Sequence, residues 1–266
     1  MEKDPLLPRQ AVWPPQDEAG GTTHHRRAFG VRAVIAVALI TWLAFHVVWW
    51  GALDALAGSS KSGVAKVLSD NPLIDGHNDL LILIRAIYGN HIYHSNFTKP
   101  FEDGGMVGHF DFPRAETGML GGTFWSAWVP CPADGFDFSD ANYAPYVKST
   151  LEQIDLFNRL SEQYPKYFTL SRNAAEAERN FYKHGKLISP LAIEGLHQIG
   201  NSLSTLRLFH ELGVKYSTLT WNCHNKYADA AMVSIDGETV VSKPYHGGVS
   251  KAGHDLILEM NRLGEH

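Results

Sequence analysis

Pro72-Leu73-Ile74-Asp75-Gly76-His77-Asn78-Asp79-Leu80 is the stretch on which the reading of this chain turns. It is a short apolar run that ends in two metal-capable side chains, bounded by Pro72 and followed by a second apolar segment. In an extended backbone residues i and i+2 project to the same side, so His77 and Asp79 at a strand's end offer one imidazole nitrogen and one carboxylate to a single point. The apolar pair Leu73 and Ile74 is expected to hold that strand and set its register. A bare His-x-Asp is equally an Asp that caps the next turn beside an unrelated histidine, so the surroundings have to decide.

Outward from that strand, apolar runs and helical periods alternate. Asp79 to Tyr88 reads as the helix after the first strand, and Gly121 to Val129 as a second strand ending at Pro130-Cys131. Val147, Leu151, Ile154, Phe157 and Leu160 give helical spacing over Tyr146 to Gln163, stopped by Pro165. Ser171 is placed to cap a helix over 174–183, Leu187 to Ile193 reads as strand three, Ser202 to Leu212 as a helix, and Lys215 to Trp221 as strand four. A long loop containing Gly237 and Pro244 leads to Ser250, the expected cap of a last helix. Alternation of this kind implies right-handed βαβ units and a parallel sheet, either a (β/α)8 barrel or a doubly wound sheet. The helices between successive strands and the absence of a dinucleotide or phosphate-loop glycine motif favour the barrel. In both folds chemistry gathers at the carboxyl ends of the strands, where His77, Asp79, Glu194 and the Trp221 to His224 loop fall. Four strands make half a barrel, so the sequence predicts a parallel sheet with an open edge.

Glu194 closes strand three in Leu191-Ala192-Ile193-Glu194-Gly195. A carboxylate there can share its two oxygens between two cations, and His and carboxylate donors without cysteine suit catalytic Zn²⁺ with open positions. Two such ions hold a nucleophile at neutral pH and polarise a carbonyl, the hydrolase use of the arrangement. The plain alternative is a strand-end Glu in an ion pair.

With 266 residues, 44% hydrophobic and 19% charged, the chain suits one globular domain plus an appendage. Its 23 basic and 28 acidic residues leave no electrostatic footprint for DNA or RNA, which are excluded as partners. Residues 1–32 read as a disordered tail, 33–53 as a transmembrane helix, 54–70 as a linker and 71–266 as the folded domain. Ala33 to Leu53 is nearly all apolar for 21 residues, long enough to cross a bilayer core, with Trp49-Trp50 as interface anchors. Arg26, Arg27 and Arg32 before it set the N-terminus in the cytosol and the domain in the lumen or outside. A cleavable signal ending at Ala55-Leu56-Ala57 competes with this single-pass anchor, but the run is long for one; a buried core helix fits poorly, since the run has no polar face. On the exterior side Asn96-Phe97-Thr98 is a usable glycosylation sequon in a polar loop, and Cys131 and Cys223 are an even pair for which a disulfide is favoured over two buried thiols.

Together LIDGHNDL, TFWSAWVPC, TLEQIDLFNRL, AIEGLHQIGNSLSTLRLFHELGVKYSTLTWNC, KYADAA and GVSKAGHDLILEMNRLG resemble the membrane dipeptidase (renal dipeptidase) family over about residues 71 to 264. Related metal-dependent amidohydrolases begin with His-x-His, so His-x-Asp singles out this family. The resemblance implies a (β/α)8 barrel with two zinc ions, His77 and Asp79 on one and Glu194, the catalytic carboxylate, bridging both. It implies hydrolysis of dipeptides by a bridging hydroxide and a disulfide between Cys131 and Cys223. Apart from the resemblance, a second copy of the chain is a candidate partner.

Two departures stand out. Where the family has Thr-His, with a His that contacts the substrate carbonyl, this chain has Thr220-Trp221, and the nearest imidazole is His224 three positions on. Where the family continues to Pro-Trp after the metal motif, Leu81-Ile82 follow Leu80. The family's later His ligands and a substrate-binding Arg have no counterpart here, so the sequence reads as a truncated dipeptidase. The competing expectation is a membrane-tethered, non-catalytic module that keeps the half-fold.

Overall fold

The computed structural model describes residues 37–50, 63–235 and 238–266. The chain divides into two units, residues 1–61 and 62–266. In the first, residues 37–50 form helix α1, whose apolar side chains, from Val37 to Trp50, are exposed on every side. Among the described residues no helix is long and apolar enough to cross a membrane. The remainder of the expected span, the whole of the expected tail, and residues 54–62 of the expected linker lie outside the described residues. His46, the polar residue within the run, accepts a hydrogen bond from the Trp50 indole at 3.2 Å. The two rings stand one turn apart on α1, the spacing at which helix side chains meet.

The second unit begins with helix α2 (Gly63–Asp70), which corrects the linker reading: half of that stretch is helical. Strand β1 (Leu73–Asn78) and helix α3 (Leu80–Tyr88) follow as the sequence predicts. Two short helices, α4 (Ser95–Asp103) and α5 (Phe112–Thr117), occupy the segment before β2 (Leu120–Ala127). Asn96 therefore sits exposed in the first turn of a helix, not in a loop, and its neighbour Phe97 is fully buried, which ties the sequon to the folded surface. Helix α6 (Asp140–Gln163) starts about two turns earlier than the apolar period does. Ser139 caps it, and Pro145 inside forfeits one backbone bond without ending it. The chain then passes through α7 (Ala174–Glu178), capped by Asn173 rather than Ser171, and a π-helical turn over Arg179–Lys183. Next come β3 (Leu191–Glu194), a 3₁₀ turn (Leu196–Ile199), α8 (Leu203–Glu211) and β4 (Val214–Thr218). A hairpin of β5 (Met232–Ile235) and β6 (Glu238–Val241) stands where the sequence reads as a long loop, and α9 (Lys251–Leu263) ends the unit, capped by Ser250 and closed by left-handed Gly264.

The main sheet runs β1-β2-β3-β4, every neighbour parallel. Sequential order with helical returns is the expected βαβ succession. Gly121 and Gly122 let the sheet close up at its start: a Cβ on the first would lie 2.6 Å from Pro72 Cα, and on the second 2.6 Å from Ile188 Cβ. On the helical side Phe101, Phe110, Phe112, Trp125, Phe157 and Phe168 form an aromatic core. The outer strand β1 is held differently from the expectation. Leu73 and Ile74 are 48% and 43% exposed, so the ladder to β2, from Leu73↔Leu120 to Asn78↔Trp125, fixes its register. At the other edge His266 lies along β4, its N–H donating to Lys215 O at 3.0 Å and its carbonyl accepting from Ser217 N–H at 2.8 Å.

Candidate metal centre

His77, Asp79 and Glu194 meet at the carboxyl end of the sheet. His77 Nε2 lies 3.1 Å from Asp79 Oδ1 and 3.4 Å from Glu194 Oε2. The strand ends β1 and β3 carry His77 and Glu194, and Asp79 stands at the N-terminus of α3. Asp79 is in the capping position, yet its side chain makes no cap bond; the first helical turn is served by Asn78 Oδ1, which accepts from Leu80 N–H at 3.1 Å. The carboxylate is thereby left for another cation.

The protonation of His77 follows from its neighbour Tyr216, on β4. The Tyr216 hydroxyl has one proton and donates it to Gly76 O at 3.0 Å, since a carbonyl can only accept. His77 Nδ1, 2.8 Å from the same oxygen, must then be the donor, N–H to Oη. In the neutral ring Nε2 is a bare lone pair aimed at two carboxylate oxygens. Three acceptors cannot converge without a cation among them, either a proton or a metal ion. The proton's case is expressed in the imidazole pKa, pushed up to about 10, chiefly by hydrogen bonding to Asp79 and then Glu194. Burial, followed by the charges of Glu194, Asp79 and Asp75, raises Tyr216 to about 12, so it stays a protonated donor.

Glu194 is positioned by a residue that the sequence reading passed over. Gln198, fully buried, accepts the Glu194 N–H at Oε1 (2.8 Å) and donates through Nε2 to Ala127 O and Thr150 Oγ1, both at 2.8 Å. One amide thus ties the ends of β2 and β3 to α6. Its signal was local: a Gln four residues past a strand-end Glu, within AIEGLHQ. Tyr216 was similarly visible only as a strand residue. A groove of about 300 Å³ opens beside His77 and Asp79, walled by Leu83 and the segment Val107-Gly108-His109.

His224 does not join them. It is buried, its Nδ1 accepts from Ala230 N–H at 3.1 Å, and its Nε2 lies 2.6 Å from Ser242 Oγ. Of the two readings of His224, a stand-in for the family's substrate-contacting histidine or a plain loop residue, the geometry favours the second: Nδ1 holds Ala230 within its own loop and Nε2 meets Ser242, the residue after β6. With Asp229 Oδ1 3.2 Å from Nδ1, the set looks like a Ser-His-Asp triad. It has the wrong tautomer, because Nδ1 is already an acceptor and the proton on Nε2 points at the serine. Asp229 is spent on the N–H groups of His246 and Gly248. Trp221, where the family has its histidine, packs edge-on against Trp128 at 4.9 Å. Cys131 and Cys223 are disulfide-bonded with Cα atoms 6.0 Å apart, joining the loops after β2 and β4.

The membrane dipeptidase family, peptidase family M19, matches residues 62–265 of this chain. The chain belongs to that family. Among its members, dipeptidase aclJ of Aspergillus oryzae is 44% identical over 208 residues, 78% of this chain and 46% of its own length. An uncharacterized dipeptidase of Schizosaccharomyces pombe is 40% identical over 202 residues, 74% of this chain and 46% of its own. The chain therefore spans about half the length of the curated dipeptidases it matches. A crystal structure of a metallo peptidase from Rhodobacter sphaeroides, liganded with a phosphinate mimic of the dipeptide L-Ala-D-Ala, superimposes with a TM-score of 0.56 at 23% identity, covering 72% of this chain and 56% of that one. The probable dipeptidase PvdM from Pseudomonas aeruginosa gives 0.58 at 18% identity, over 75% and 47%. At these identities the likeness is one of fold, an α/β architecture on a parallel sheet.

Proposed function

We propose that the folded unit carries the His-Asp-Glu part of a zinc-dependent dipeptidase site, on the first strands of a (β/α)8 barrel. The observation that supports this most is the convergence of His77 Nε2, Asp79 Oδ1 and Glu194 Oε2 within 3.4 Å of the imidazole nitrogen, in a member of the membrane dipeptidase family. The donor set fits the metal. It has one nitrogen and two carboxylates with no thiolate, the ring nitrogen's lone pair faces inward, and the opposite N–H is held by Tyr216 in the way metal-binding histidines are held. Zinc bound there supplies Lewis-acid polarisation of a carbonyl and a nucleophile at neutral pH. The protein's own part is positional. Tyr216 fixes the tautomer and ring plane of His77, Asn78 frees Asp79 from capping, and Gln198 holds the Glu194 backbone. In the family reading Glu194 serves a second zinc ion as well.

Equilibrium dialysis against zinc, followed by assay on L-Ala-D-Ala and other dipeptides with and without chelator, tests the proposal. Zinc held by the chain and lost in His77→Ala and Glu194→Gln is expected. Zinc retention equal to that of His77→Ala, or cleavage that survives the chelator, overturns it. Zinc binding without cleavage would favour the non-catalytic reading, which Trp221 and the engaged His224 support. We further read Ala33–Leu53 as a membrane anchor, on the length of its apolar run and the all-round apolar surface of α1. Flotation of the full chain with lipid vesicles, lost on deleting that run, is the corresponding measurement.

A further inference from the structure

The disulfide has a third neighbour. A nitrogen of His197 and the sulfurs of Cys131 and Cys223 all lie within 4.8 Å of one another. His197 is fully buried in the 3₁₀ turn after β3, between the two loops that carry the cysteines. Its Nε2 is 3.2 Å from Val129 O, which can only accept, so Nε2 carries the proton. Nδ1 is then a lone pair, buried and without a hydrogen-bond partner among the described residues. A buried acceptor left unpaired is costly, and here it belongs to an imidazole whose other nitrogen is anchored on a carbonyl, as the imidazoles that ligate metals are. Burial keeps the ring neutral, its pKa lowered to about 4, so the lone pair is available. Gly195 makes the space: its φ is +102°, and a Cβ there would stand 2.6 Å from Nδ1.

We propose that Cys131, Cys223 and His197 form a second metal site, closed while the disulfide is formed, which takes a thiophilic divalent ion such as Zn²⁺ once a dithiol has reduced the bond. Two sulfurs and one imidazole are a known ligand set for four-coordinate zinc, with water in the remaining position. Cys131 is partly exposed and Cys223 buried, so the reductant's thiolate attacks the Cys131 sulfur and Cys223 leaves as thiolate. The second thiol of the reductant then attacks the mixed disulfide. The reductant ends as its own disulfide, the two electrons reside on the cysteine sulfurs, and their protons pass to buffer as the ion binds. In either redox state the loops after β2 and β4 stay joined, by a covalent bond or through the ion.

The proposal does not depend on the dipeptidase reading and has its own signal. Cobalt added to the full chain, reduced with a dithiol and then freed of it by anaerobic gel filtration, should give thiolate-to-cobalt charge-transfer absorption that the oxidised chain lacks, since the donors His77, Asp79 and Glu194 contain no sulfur. One cobalt per chain is expected at this site, displaced by zinc and released on reoxidation. His197→Gln should weaken cobalt binding at least tenfold while both cysteines remain. Absence of the thiolate band in the reduced wild-type chain, or equal affinity in His197→Gln, overturns the proposal. The wild-type comparison of oxidised and reduced protein needs no variant to fold.

Discussion

The single proton on the Tyr216 hydroxyl sets what His77 presents to the candidate metal position. Because that proton goes to Gly76 O, Nδ1–H must donate to the tyrosine, and Nε2 is the nitrogen that faces Asp79 and Glu194, protonated where no metal is bound and a lone pair for one that is. Tyr216→Phe removes the acceptor, leaves Nδ1–H without its partner and frees the ring to turn. Loss of an outer-shell partner of this kind costs about 10–100-fold in metal affinity, and the strand should remain, since its ladder to β3 involves only backbone. Competition of the chain with a chromophoric chelator for zinc measures the change. An affinity equal to wild type would show that the hydroxyl does not orient the imidazole. A sequence reader had the ligands in view but not this partner, because a tyrosine in Lys215-Tyr216-Ser217-Thr218 looks like any strand aromatic until β4 is laid beside β3 and its ring reaches β1.

At the scale of elements, the strand ends hold the site and the buried amide of Gln198 holds the strand ends. Gln198→Leu keeps the volume and removes all three hydrogen bonds, to Glu194 N–H, Ala127 O and Thr150 Oγ1. A loss of about 3 kcal/mol in urea unfolding follows from three buried hydrogen bonds at about 1 kcal/mol each. Zinc affinity should fall with it, since Glu194 loses its backbone restraint; unchanged affinity would confine Gln198 to a structural role. The elements themselves were legible to different degrees, for physical reasons. Strands β1 to β4 and helices α3, α8 and α9 carry clear apolar period, and Ser250 caps α9 where the sequence places it. Helix α6 begins before its apolar period, because Ser139 and Asp140 supply its cap and first turn without an apolar face. Helix α4 has Pro100 inside and little apolar period, so its existence depends on burying Phe97 and Phe101 in the aromatic core. The β5–β6 hairpin was signalled by Asp236-Gly237 between β-branched residues, the two-residue turn chemistry that hairpins favour. It was missed because the glycines of the same stretch suggested a loop.

For the folded unit as a whole, the side of the sheet at β4 brings a buried acid into the account. Glu265 is 3% exposed, and its carboxyl hydrogen-bonds Ser217 on β4. Burial raises its pKa from 4.5 to about 7, against smaller lowering by the Ser217 bond and the charge of Lys215. The consequence for stability runs opposite to that of an ordinary surface carboxylate. Below about pH 4.5 the group is protonated folded and unfolded, and its contribution is fully present. Between 4.5 and about 7 the unfolded chain releases the proton while the folded one keeps it, so stability falls as pH rises; above 7 the contribution is lost. Over that window the loss amounts to roughly 3 kcal/mol, from about 1.4 kcal/mol for each pH unit. Glu265→Gln keeps the hydrogen-bonding shape without the ionisation. Urea unfolding of both proteins from pH 4 to 8 should therefore show the variant gaining on the wild type through pH 4.5 to 7 and holding a constant lead above it, other titrations cancelling in the difference. A difference that does not change with pH would mean that Glu265 ionises in the folded protein as freely as in water, and that the packing of residues 265 and 266 along β4 is looser than its hydrogen bonds to Lys215 and Ser217 require.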